Sequence, residues 1–180
     1  MDDIEVEREI LSGGNVGSSA GTAVEMFLSD FRISNRSMDR ENGKYSISTA
    51  KERLQLDVIQ KFLEEDSYWA QDRRAEQTRL AIENSVCFGL YHDGNQIGFA
   101  RVVSDFATFA YLGDVFVLEA FRGRGLSKWL METIISHPDL QGLRRWVLAT
   151  RDAHTLYEKY GFHALKFPGR WMEKPAPDAY

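Results

Sequence analysis

The chain has 180 residues, 43% hydrophobic and 27% charged, enough for one domain with a sizeable core and unlike a disordered chain. Its net charge of -5 argues against nucleic acid as a partner. A single cysteine, Cys87, excludes an internal disulfide, and no apolar run approaches the roughly 20 residues that span a bilayer, so no membrane association is expected. The chain opens on Asp2, Asp3, Glu5, Glu7 and Glu9, without the basic start and apolar centre of a secretory signal, so a cytoplasmic setting is expected.

Residues 1–44 read as an N-terminal extension and 45–180 as the folded domain. Residues 12–21 are rich in glycine and serine, as in a flexible linker. Residues 22–31 place Ala23, Met26, Phe27 and Phe31 near one helical face, with Thr22 and Glu25 at capping-box spacing. A first strand is expected at 44–49. Leu54, Val58, Ile59, Phe62 and Leu63 recur at helical spacing, which predicts a helix over 57–65. Tyr68 and Trp69 fall in the connection to a second helix over 73–84.

Residues 86–91 and 96–103 read as two strands, and the Asp93-Gly94 step between them is a strong hairpin signal. Cys87, inside the first of these apolar runs, reads as a small core residue. A further strand over 107–117 precedes a turn and a helix that starts near Ser127 and ends before His137-Pro138. A short buried strand over 146–149 and a short helix over 153–159, with Asp152 as its N-cap, come next. Residues 163–165 and 170–173 read as final strands. The order describes a mixed α/β layout with a largely antiparallel first half.

The stretch from Asp114 to Lys128 is the most informative. Val115, Phe116, Val117 and Leu118 form an apolar strand, and Arg122-Gly123-Arg124-Gly125 leads directly into a helix. A helix N-terminus carries unpaired N–H groups and partial positive charge, glycines let backbone approach an anion, and arginines add charge. The turn therefore reads either as a pyrophosphate site or as a plain strand-to-helix connection.

The chain resembles the GNAT superfamily of N-acetyltransferases. The family's acetyl-CoA signature is arginine or glutamine, two residues, glycine, one residue, then glycine or alanine. Here it runs Arg122-Gly123-Arg124-Gly125-Leu126-Ser127, with Ser127 a departure that is still small. Residues 153–162, from Ala153 through Leu156-Tyr157-Glu158-Lys159 to Gly161-Phe162, resemble a second family run, and the element order over about 45–175 matches too. The resemblance implies a GNAT-like mixed, largely antiparallel central sheet with splayed fourth and fifth strands, flanked by about four helices. It implies acetyl-CoA as co-substrate and a small-molecule amine as acceptor, with a homodimer as a family-level expectation. Val115, Phe116 and Val117 would hold the pantetheine arm; Gly123, Arg124, Gly125, Leu126, Ser127 and Lys128, with Arg122, would hold the pyrophosphate. Thr150 replaces the asparagine that often follows the family's fifth strand.

The resemblance implies that Tyr157 donates a proton to the leaving thiolate or contacts the sulfur; otherwise it packs. Asp114 is the nearest carboxylate for a base on the fourth strand, or else a buried structural carboxylate bonded to backbone or Arg101. Tyr68, Trp69, Phe106, Phe109 and Tyr111 are candidates for the acceptor wall, or fill the core. His92, His137, His154 and His163 lack ligand spacing, so no metal is expected. A CoA-binding module without transfer activity, acetylation of a protein amine, and NAD binding are the competing readings. NAD fits less well, because the turn is not GxGxxG and the strands before it form a meander.

Overall fold

A computed structural model describes residues 37–175. The linker and helix expected at 12–21 and 22–31 lie outside the described residues. Six strands run in the order β1 Asp39–Asn42, β2 Tyr45–Ser48, β3 Val86–His92, β4 Asn95–Ser104, β5 Phe109–Val117 and β6 Arg145–Leu148. They lie side by side in that same order, antiparallel except for the parallel pair β5–β6. β1 lies inside the stretch assigned to the N-terminal extension, and pairs with β2 through a turn at Gly43. With β1 counted, β5 and β6 are the two strands expected to splay.

The β3–β4 hairpin turns as its Asp93-Gly94 step predicts, with both residues at positive φ (47° and 81°), the geometry of a type I′ turn. Between β4 and β5, Asp105 accepts hydrogen bonds from the amides of Ala107, Thr108 and Phe109 (2.8–3.0 Å), so one carboxylate shapes the whole turn.

Helix α1, Leu56–Lys61, widens into a π turn over Phe62–Asp66, closed by the Ser67 amide donating to the Phe62 carbonyl at 3.0 Å. Helix α2 is Ala75–Glu83. Both cover one sheet face, burying Ile59, Phe62, Leu63, Ile82, Phe99 and Phe116. Cys87 lies in this core, and burial pushes its thiol up to about 12, so it is an inert packing residue. Helix α3, Leu126–Ile135, covers the other face, where Leu130, Met131 and Ile134 meet Phe88, Leu90, Val102 and Leu112. Both faces of the central strands are thus dry, which explains their near-continuous apolar sequence.

Three expectations are corrected. The short helix α4, His154–Tyr157, is not capped by Asp152: Ala153 stands at the N-cap, and its amide donates to Thr150 Oγ1 at 3.0 Å. Residues 163–165 and 170–173 form no strand; a 3₁₀ turn at Pro168–Arg170 interrupts the run, with Pro168 unable to donate to a ladder. β6 is therefore an edge strand among the described residues, half-buried rather than buried. Among the described residues no helix is long and apolar enough to cross a membrane.

Candidate active site

The site begins with a break in the sheet. β6 follows β5 only from Phe109↔Arg145 to Leu112↔Leu148. Beyond that point β5 continues to Val117 with no strand on its β6 side among the described residues, and the pairing of the two strands stops. At the same place β5 carries a bulge. Arg101 pairs with Gly113 and Phe99 with Phe116, so Asp114 and Val115 together face Ala100. Asp114 sits at φ 53°, a left-handed conformation rare for a residue other than glycine. Alternation is reset there: Val117 joins the core under α3, while Phe116 turns to the α1 side and stacks on Phe62 at 3.9 Å.

The bulge aims the Asp114 carboxylate into the α1–α2 side, where it is 6% exposed. Arg101 Nε (2.5 Å) and Arg73 Nη1 (2.6 Å) donate to Oδ2, and Trp69 Nε1 donates to Oδ1 at 3.2 Å. Burial alone would raise its pKa, but the hydrogen bonds and charges of Arg73 and Arg101 outweigh that and lower it. Arg101 is thus among the partners of Asp114, the contact that the structural reading named. Arg73, which supplies the second ion pair, carries no pattern in the sequence that separates it from other surface arginines.

The π turn delivers Tyr68 and Trp69 to this point. Ser67, 1% exposed, donates from Oγ to the Leu63 carbonyl (2.6 Å) and accepts from the Ala70 amide (3.1 Å), fixing the exit of the chain. Tyr68 crosses to the loop after β6. Its hydroxyl accepts from the Arg151 amide at 2.8 Å, and the Arg151 guanidinium lies 3.7 Å from its ring centroid. This clamp closes one side of the gap.

Tyr157 comes from α4, 8% exposed, its ring 6.0 Å from Phe162. Burial, and then the nearby Tyr68, Asp152 and Tyr111, push its hydroxyl up to about 12. Tyr68 and Tyr111, far apart in sequence, therefore lie within electrostatic reach of Tyr157. Phe106 packs against the α3-side core and does not join them, and Phe109 lies two residues before Tyr111 on β5, paired with Arg145.

The glycine turn forms the far end of the site. Gly123 and Gly125 have φ 76° and 79°, and Gly125 is the N-cap of α3, whose first turn carries no acid. Both arginines brace the turn from below: Arg122 Nε donates to the Val117 carbonyl (3.0 Å), and Arg124 donates to the Ala120 carbonyl (3.0 Å) and the Tyr45 hydroxyl (3.1 Å). The amides at the start of α3 are what remains for an anion. Leu126 is buried, Ser127 half-buried and Lys128 exposed, its carbonyl taken by the Tyr160 hydroxyl at 2.9 Å. Thr150, at the end of the gap, is committed as acceptor to Ala153 and keeps its hydroxyl proton to donate.

Residues 56–162 match the family model described as the Acetyltransferase (GNAT) family. The chain belongs to that family. A structure from Xanthomonas campestris pv. campestris, described as a GNAT-family acetyltransferase, is 52% identical with a TM-score of 0.72, covering 74% of this chain and 94% of that one. A Gibberella zeae protein named as an acetyltransferase is 34% identical over 139 residues, 65% of this chain and 77% of that one. A structure from Deinococcus radiodurans R1, 20% identical with a TM-score of 0.57, covers 72% of this acetyltransferase and 90% of its own chain and shares the fold. GNAT members use acetyl-CoA, and the mixed six-stranded sheet with four helices is the GNAT architecture.

Proposed function

We propose that this acetyltransferase moves the acetyl group of acetyl-CoA to a primary amine of a small molecule, by direct attack in a ternary complex. The observation that carries the reading is the open side of β5 beyond Leu112, bordered by Tyr157 and ending at an acid-free helix start. These features fit acetyl-CoA: an extended arm suits an unpaired strand edge, and a pyrophosphate suits unpaired amides. The amides of Gly123, Arg124, Gly125, Leu126 and Ser127 would hold the pyrophosphate beside Lys128, whose own amide donates to the Gly125 carbonyl at 3.1 Å, and the edge of Val115, Phe116 and Val117 would hold the pantetheine, with Thr150 donating from the loop.

When bound, acetyl-CoA supplies a thioester whose carbonyl carbon takes the amine nitrogen and whose sulfur leaves. A backbone N–H on the open side of β5 is placed to donate to the carbonyl oxygen as it gains charge. Tyr157, with its hydroxyl near 12, stays protonated across the working range. A thiol titrates at about 8.5, so full transfer of the tyrosine proton to the sulfur would be uphill. Its role is to hydrogen-bond the departing sulfur. Asp114 is engaged by three donors and holds its charge too well to serve as a base. It positions Trp69, Arg73 and the bulge, while the substrate ammonium would lose one proton to water to give the attacking neutral amine, and the nitrogen would pass a second through water to the leaving thiolate. Tyr68, Trp69 and Tyr111 would line the acceptor side, and the Tyr68–Arg151 contact would narrow it, which favours a small amine.

The test is thiol release from acetyl-CoA over a panel of small amines and lysine-containing peptides, for wild type and Tyr157→Phe. Turnover is expected on small amines. Tyr157→Phe should lower kcat roughly 10–100-fold, the worth of one charge-assisted hydrogen bond, with little change in CoA affinity. Turnover on peptides alone, or tight CoA binding with no turnover on any amine, overturns the reading.

A further inference from the structure

The cleft between β6 and the chain that follows α4 has no part in this chemistry. Its volume is about 700 Å³, within the range of roughly 300–1,000 Å³ usual for small-molecule sites. Arg144, Arg145, Lys166 and Arg170 line it, and among the described residues no Asp or Glu does, although acids outnumber Lys and Arg 27 to 22 in the chain. None of these four cations forms an ion pair among the described residues. Three of them lie over aromatic rings instead. The Arg145 guanidinium is 5.2 Å from the Trp171 ring centroid, and Arg170 and Lys166 are 4.1 and 5.5 Å from that of Phe167. Phe167 and Trp171 remain 47% and 38% exposed, so their rings are open to a ligand.

Four cations gathered without a counter-ion repel one another, and a concave wall concentrates their field. Ring contacts hold the guanidiniums in place without neutralising them. Guanidinium forks match phosphate oxygens, and exposed ring faces stack on a flat heterocycle. We propose that this cleft is a second binding site, for a soluble phosphorylated ligand carrying a planar ring, of the nucleoside diphosphate class.

Two other occupants fit less well. An acidic peptide adding a strand to β6 would find an edge of four residues, of which only Arg145 and Trp146 line the cleft. The nucleotide end of acetyl-CoA would start from the glycine turn. Ile135, which lines the cleft, is at the opposite end of α3, about 14 Å from the first turn at 1.5 Å per residue. Tyr160 links the two places, since it lines the cleft and donates to the Lys128 carbonyl.

Calorimetric titration of the full chain with ADP, alone and with saturating CoA, tests the site. The proposal expects ADP to bind in both conditions and more tightly than pyrophosphate or hexaglutamate. The double variant Arg145→Glu/Arg170→Glu should weaken ADP at least tenfold, and Trp171→Ala several-fold, each with an unchanged circular dichroism spectrum. Loss of ADP binding under saturating CoA would place the nucleotide in the acetyl-CoA site and overturn the proposal. Tighter hexaglutamate binding, undetectable ADP binding, or equal ADP affinity in correctly folded variants would overturn it too. The outcome does not depend on the acceptor of the acetyl group.

Discussion

Asp114 shows how a carboxylate that suggests a base in sequence can be surrounded by donors in space. It lies on the strand where a base is sought, yet two guanidiniums and an indole occupy its oxygens. Asn at this position keeps the size and tolerates the left-handed φ of 53°, but removes the charge. Arg73 and Arg101, with side chains 21% and 15% exposed, would then be left without a counter-ion. Removing one partner of such a buried pair destabilises by about 3–5 kcal/mol, so Asp114→Asn should lose stability on the order of 3 kcal/mol in urea unfolding. A positioning role also predicts a higher KM for the amine, through Trp69, with the shape of the kcat pH profile unchanged. Loss of the acidic limb of that profile would instead make Asp114 the base.

At the scale of elements, the turn from β5 into α3 depends on backbone geometry more than on its side chains. A Cβ on Gly125 would meet nothing within 4 Å, so the only penalty of Gly125→Ala is its φ of 79°, about 1–2 kcal/mol. Gly142 offers a matched control in an unrelated turn, with φ 72° and equally open surroundings. Both alanine variants should lose comparable stability by thermal melting. Only Gly125→Ala should weaken CoA, at least tenfold, because its relaxed backbone swings the α3 amides away. Equal CoA affinities would remove the turn from the site. This turn was readable because Gly-x-Gly before an apolar helix is a local pattern. So were the Asp93-Gly94 hairpin and the helical spacing from Leu54 to Leu63. β1 was not, since Asp39–Asn42 has no apolar residue and is held by pairing with β2 and by polar contacts of Asp39 with Arg53 and of Arg40 with Ser136. The expected final strands failed for the opposite reason. Trp171 looks like a strand residue, but it packs against the Arg145 guanidinium rather than in a ladder. The bulge at Asp114 and the gap beyond Leu112 arise from register between distant strands, which no local window contains.

For the molecule as a whole, the covered sheet makes stability sensitive to a group far from the site. His137 follows α3, 4% exposed, its ring edge-on to Phe88 of β3 at 5.6 Å. Nδ1 accepts the Asp139 amide at 3.3 Å, which requires the neutral imidazole. Burial lowers its pKa, and the Asp139 charge only partly offsets this. The unfolded chain therefore takes up a proton near pH 6.5, at a higher pH than the folded protein does. The stability this group contributes is complete above about 6.5 and is lost as pH falls from there toward the lower folded value. The melting temperature should drop between pH 7 and pH 5.5. His137→Asn keeps an acceptor for the Asp139 amide but does not titrate, so it should be less stable at pH 7 and show a flatter slope over that interval. An identical slope in the variant would mean that another group governs the acid sensitivity. Because α3 joins this histidine at one end to the glycine turn at the other, acid should also weaken CoA binding in parallel with the loss of melting temperature. That parallel should disappear in His137→Asn.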